Sequence, residues 1–103
     1  MVQEQRRHPR SPLSLEVTLH HAGRDTPGTT VDASLGGAFV TTALVAPFGV
    51  ELEITLPLPG LGAVRVPATV RWSRDGGLGL QFGLMGARET HALSSLVSPS
   101  STT

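Results

Sequence analysis

Thr30-Val31-Asp32-Ala33-Ser34-Leu35-Gly36-Gly37-Ala38-Phe39-Val40 is the stretch whose reading decides the fold. A strand-like run stops at Ser34-Leu35-Gly36-Gly37 and resumes as Ala38-Phe39-Val40, so it reads as two short strands, 29–33 and 38–42, around a break. The glycine pair is expected to supply positive φ and to let a ligand approach the backbone with no Cβ in the way. Asp32 and Ser34 stand two residues apart, and strand alternation puts carboxylate and hydroxyl on one face. Val31, Ala33 and Phe39 are the expected inward residues.

Outward from this stretch the chain keeps the same grammar. Residues 13–19 alternate strictly, with Leu13, Leu15, Val17 and Leu19 toward a core and Ser14, Glu16 and Thr18 away from it. Residues 20–28, with Gly23, Asp25, Pro27 and Gly28, read as a turn-rich connection. Residues 44–49 are a loop, 50–56 alternate as cleanly as the first strand, and 57–62 form a proline-glycine turn. Residues 64–72 put Val64, Val66, Ala68, Val70 and Trp72 on one side. Pro67 cannot donate a ladder bond, which predicts an edge strand or a bulge there. Asp75-Gly76 marks a hairpin turn into a return strand at 78–82. From Gly86 the period changes, and 87–97 reads as one short helix laying Ala92, Leu93, Leu96 and Val97 on a sheet. Residues 1–12 are expected to be a flexible arm, with Pro9 and Pro12 keeping their neighbours extended, and the Ser/Pro/Thr tail 98–103 is expected to be disordered. About six short strands and one terminal helix predict a mainly β domain, a small antiparallel barrel over 13–97, which also removes the sheet edges that valine-rich strands would expose.

Composition bounds the function. The chain has 103 residues, enough for one core. It has no cysteine, which excludes disulfides and thiol chemistry and is expected of a cytoplasmic protein. No apolar run approaches the roughly 20 residues of a membrane helix, and the polar, basic start is not that of a signal peptide. Formal net charge is zero, which argues against a dedicated DNA or RNA backbone binder. A single-strand binder of the OB type needs stacking aromatics, and this chain has no Tyr, one Trp and three Phe. The charge is uneven, however, because Arg6, Arg7 and Arg10 crowd into five residues.

Catalytic material is scarce. His8, His20, His21 and His91 make no metal-ligand spacing, and the adjacent pair is expected to be solvated in a turn. Glu51 and Glu53 share a strand face as solvated acids, and Ser34 lacks a G-x-S-x-G elbow. No enzyme, metal or cofactor is therefore expected. The arginine arm is the more informative feature. A guanidinium fork pairs bidentately with phosphate oxygens and with the O6/N7 edge of guanine, and its plane stacks on a base. Asp accepts hydrogen bonds, and the N1–H and N2–H₂ edge of guanine donates them.

Two motifs in this order, Arg6-Arg7-His8-Pro9-Arg10 as R-x-x-x-R and Asp32-Ala33-Ser34-Leu35-Gly36-Gly37 as (D/N)-x-S-x-x-G, resemble the PilZ domain family. Val70-Arg71-Trp72 and Gly79-Leu80-Gln81-Phe82 look like the family's closing strand pair, so the resemblance covers roughly residues 5 to 97. It implies a six-stranded antiparallel barrel with a short C-terminal helix that binds the bacterial second messenger cyclic di-GMP. By motif position, Arg6 and Arg10 would hold phosphate and the guanine edge, and Arg7 would add a phosphate or stacking contact. Asp32 and Ser34 would contact guanine, Gly37, beside Gly36, would permit close approach, and Trp72 would either flank the base, as in some members, or serve as a core or barrel-rim residue. Gln5 stands where many members carry a further arginine, which bears on whether one ligand or an intercalated pair binds. The messenger would pin the arm to the barrel, and the new surface would meet a downstream effector protein. The alternative is a PilZ-like scaffold that works through protein contacts alone.

Overall fold

The computed structural model describes residues 11–97. Its strands are β1 (Ser11–Pro12), β2 (Glu16–His21), β3 (Arg24–Ser34), β4 (Gly37–Thr42), β5 (Glu51–Leu58), β6 (Gly62–Arg74) and β7 (Gly77–Phe82), followed by α1 (Ala87–Val97). Every pairing is antiparallel: β3–β2–β5–β6–β7–β4, with β4 returning to β3, close a six-stranded barrel. The two-residue β1 continues the line of β2 along β3, with Ser11 opposite Ala33 and Pro12 opposite Asp32. The alternation that predicts strands predicts the interior as well. Leu19, Val40, Ile54, Val70 and Leu78 are the bulkiest fully enclosed strand residues, and Leu93 of α1 joins them. The helix lies over the barrel through Ala92, Leu93 and Val97. Leu19 and Ile54 are fully enclosed and directly opposite each other. Leu19→Ala should therefore cost about 2–5 kcal/mol, read as a lower urea midpoint at unchanged m-value.

Several local expectations are corrected. The expected connection over 20–28 is instead a tight hairpin, because Ala22 and Gly23 have φ of 55° and 78° and turn the chain in two residues. His20 and His21 thus end a strand and are not loop residues. The apparent loop formers Pro27 and Gly28 sit inside β3. Pro27 is tolerated because it lies one residue beyond the end of the β4 ladder, where the Thr42 hydroxyl donates to its carbonyl at 2.9 Å.

The strand expected over 13–19 is interrupted. The buried Thr30 hydroxyl accepts from the Leu15 N–H at 2.8 Å and donates to the Leu13 carbonyl, so a side chain takes two of the bonds over 13–15 while the Leu13 N–H and the Leu15 carbonyl still bond to the β3 backbone. The register shifts between Thr30 and Asp32, and the extra residue, Val31, is turned outward at 46% exposure instead of inward. A second shift, between Val70 and Trp72, makes Arg71 the extra residue. Trp72 therefore leaves the inward row and joins Phe39 on the outer wall, because both stand opposite Gly79, whose neighbours Leu78 and Leu80 face the core. β6 is an interior strand, bulged at Arg71 and not at Pro67. Pro67 lies one step past the last β6–β7 pair, Ala68 with Phe82, so its missing donor interrupts no ladder.

Candidate functional site

The β3–β4 turn is built from the bend residues. Ser34 stands opposite Gly37, leaving Leu35 and Gly36 as the loop. Ser34 is 5% exposed, and its Oγ accepts the Gly36 N–H at 3.1 Å. The Gly36 carbonyl accepts the Phe82 N–H at 2.9 Å, which ties the turn to the end of β7. Neither Gly36 nor Gly37 is among the left-handed glycines, which in the described residues are Gly23, Gly49, Gly60, Gly62 and Gly76, so the expected positive φ at the pair is corrected. Gly37 has a different reason to lack a side chain: a Cβ there would fall 2.0 Å from the Leu80 carbonyl oxygen.

Asp32, beside the buried Ala33, lies half-buried on the outer wall, whereas Ser34 is buried within the turn. Arg6, Arg7 and Arg10 lie outside the described residues. The point where their segment joins the fold is described, however. Ser11 is opposite Ala33, Pro12 is opposite Asp32, and the Leu13 N–H donates to the Val31 carbonyl at 3.1 Å. The Ser11 hydroxyl donates to the Val97 carbonyl at 2.7 Å, anchoring the same point to the last residue of α1.

One row of the outer wall crosses five strands: Pro12, Asp32, Phe39, Gly79 and Trp72 are successive partners on β1, β3, β4, β7 and β6. Phe39 and Trp72 meet over the bare Gly79, ring centroids 5.0 Å apart and planes within 14°. The Arg74 guanidinium lies 4.6 Å from the Trp72 ring. Asp32 thus borders an aromatic platform that ends in a cation. Phe39, expected to point inward, is corrected to the outer wall, and strand alternation alone missed its pairing with Trp72 and Arg74, because the bulge at Arg71 is what brings Trp72 to the row. The signal that could have found it was glycine at alternate positions of β7, since a Cβ on Gly77 would strike Phe39 at 2.5 Å and one on Gly79 would strike Trp72 at 2.3 Å. Gly79→Ala should displace the single tryptophan. The expected result is a red-shifted emission spectrum and a loss of about 1–3 kcal/mol in stability.

Among the described residues, no group of three or more His, Asp or Glu could hold a metal ion. No helix among them is long and apolar enough to cross a membrane.

The sequence profile of the PilZ domain matches residues 4–98. No curated protein sequence matches the chain. Among solved structures, the chain is similar to the Bacillus subtilis inhibitor of motility MotI/DgrA, with a TM-score of 0.77 at 20% identity over 91% of this chain. It spans half the length of that protein, 50%. The PilZ domain of CeSA from a cellulose-synthesizing bacterium gives a TM-score of 0.71 at 22% identity, covering 86% of this chain and 94% of that one. The PilZ domain of Escherichia coli YcgR, whose structure contains c-di-GMP, gives 0.72 at 16% identity, with 91% and 89% covered. At these identities the likeness is one of fold.

Proposed function

Because the chain belongs to the PilZ domain family, we propose that it is a cyclic di-GMP receptor whose arginine segment closes over the Asp32 wall. The carrying observation is the pairing of Ser11 and Pro12 with Ala33 and Asp32. It joins the R-x-x-x-R segment to the fold beside the D-x-S-x-x-G bend, so closure requires motion of a few residues and no rearrangement of the barrel. Arg6, Arg7 and Arg10 supply cations for the phosphates and a stacking plane for guanine, and Asp32 accepts from the guanine N1–H and N2–H₂ edge. Gly36 and Gly37 keep the bend narrow, and the Phe39–Trp72 pair offers a flat flank to a base. The receptor acts in the cytoplasm and hands the signal to an effector protein through the surface that the closed arm creates. It needs no cofactor.

A scaffold reading, in which the barrel signals through protein contacts without nucleotide, has one observation in its favour. Ser34 and Gly37 both have structural work, the first in closing the turn and the second in admitting the Leu80 carbonyl. Calorimetry with cyclic di-GMP decides between the two. Saturable binding supports the receptor and gives its stoichiometry, and a flat trace with folded protein supports the scaffold. Quenching of Trp72 emission on titration is the independent reading of the aromatic flank.

A further inference from the structure

At the β2–β3 hairpin, three side chains from three strands form one hydrogen-bonded line. His20 Nδ1 lies 2.7 Å from Asp25 Oδ1, and His20 Nε2 lies 2.7 Å from Thr55 Oγ1. Register produces this: His20 is opposite Asp25 on β3 and opposite Glu53 on β5, with Thr55 the next residue of β5 on the same face. The imidazole is only 13% exposed. An ionised carboxylate can only accept, so in the neutral ring Nδ1 carries the hydrogen and donates it to Asp25. Nε2 is then the acceptor, and the Thr55 hydroxyl donates to it. This is the polarity of a hydroxyl activated by an imidazole that a carboxylate orients.

The surroundings add a second element. An open cavity of ≈ 270 Å³ adjoins the line, with His20, His21, Arg24, Asp25 and Arg65 in its wall. Arg65 stands opposite Thr55 on β6, and its Nε donates to Glu53 Oε1 at 2.6 Å. Two arginines in the wall of a small cavity suit an anionic donor.

We infer that Thr55 is a covalent modification site, an acyl acceptor whose donor is a small acyl phosphate. Thr55 Oγ1 attacks the carbonyl carbon while its proton passes to His20 Nε2. The bond from the acyl carbon to the phosphate oxygen breaks, and phosphate leaves with the electron pair beside Arg24 and Arg65. The proton on Nε2 then goes to the departing phosphate or to water. The products are a threonine ester and inorganic phosphate, one acyl group per chain, with no turnover required. His20 is the base and Asp25 a positioning residue. The inference stands apart from the nucleotide reading, since neither Asp32 nor the arm takes part.

The composition makes the test clean. There is no cysteine and no tyrosine, and all eight basic residues are arginine, so no lysine amine competes. The full chain is incubated with acetyl phosphate and followed by intact mass and peptide mapping, with circular dichroism confirming that each variant is folded. One acetyl group at Thr55 is expected. It should be kept in Thr55→Ser, absent in Thr55→Val, and formed roughly a hundredfold more slowly in His20→Gln. Asp25→Asn should also slow it, and Asp25→Glu should recover part of the rate, which a purely structural bond would not do. The proposal is overturned by folded wild-type protein that stays unmodified or is acetylated only at the α-amino group. A phosphoryl group at Thr55, or an equal rate in His20→Gln, overturns it too.

Discussion

Arg10→Ala should weaken cyclic di-GMP binding by roughly ten- to a hundredfold in calorimetry while leaving the melting temperature of the ligand-free protein unchanged. The size follows from one charge-assisted contact, worth about 1.5–3 kcal/mol to a charged partner. Direction and selectivity follow from position. Arg10 directly precedes Ser11, the residue paired with Ala33, so of the three arginines it is the one joined most closely to the Asp32 wall. Ordering a free segment costs roughly 1–2 kcal/mol per residue, and the pairing of Ser11 and Pro12 spares that cost for the residues nearest the site. Arg6→Ala, further along the segment, should do less harm than Arg10→Ala. An Arg10→Ala protein that binds as tightly as wild type would remove the arm from the mechanism.

Gly37→Ala should be the most damaging single-methyl change in the fold, with a loss of about 2–4 kcal/mol. A Cβ at this position would stand 2.0 Å from the Leu80 carbonyl oxygen and 3.2 Å from Gln81 Cα, and both are backbone atoms of β7. No rotamer change relieves such a clash, so β4 and β7 must part at the end where the Gly36 carbonyl receives the Phe82 N–H. Thermal melting with and without cyclic di-GMP separates the two reasons for glycine here. An apo protein that melts well below wild type assigns Gly37 to the architecture. Unchanged melting with lost binding would assign it to ligand approach alone.

The contrast between these two residues shows what was legible in the sequence. Strict alternation over 50–56 and the Asp75-Gly76 turn made β5 and the β6–β7 hairpin readable, because both signals are local. The period change after Gly86 did the same for α1, which spans the expected 87–97. Pro27 misled, since a residue without an N–H is harmless where a neighbouring ladder has already ended, and Gly28 misled because it is paired on both sides, with Val17 and Thr42; only the tertiary register reveals either. Val31 and Trp72 both escape simple alternation because of bulges: Val31 is itself an extra residue, and the extra residue Arg71 reverses the side of Trp72 behind it. In the candidate site the chemistry of Asp32 and the arginines was visible as residue types at a spacing. The second duty of Ser34 and Gly37 was not, because it depends on Gly36 and Leu80 meeting them in space.

The Ser11 hydroxyl bound to the Val97 carbonyl brings the two exits of the described fold within one hydrogen bond of each other. A short glycine-serine bridge could join them, and the exposed Asp75-Gly76 hairpin offers a place to open new ends, so the barrel lends itself to circular permutation. Segments joined directly at Ser11 and Val97 would leave from the same corner, beside the strand that carries Asp32. Capture of a nucleotide there would be felt alike by whatever is attached on either side.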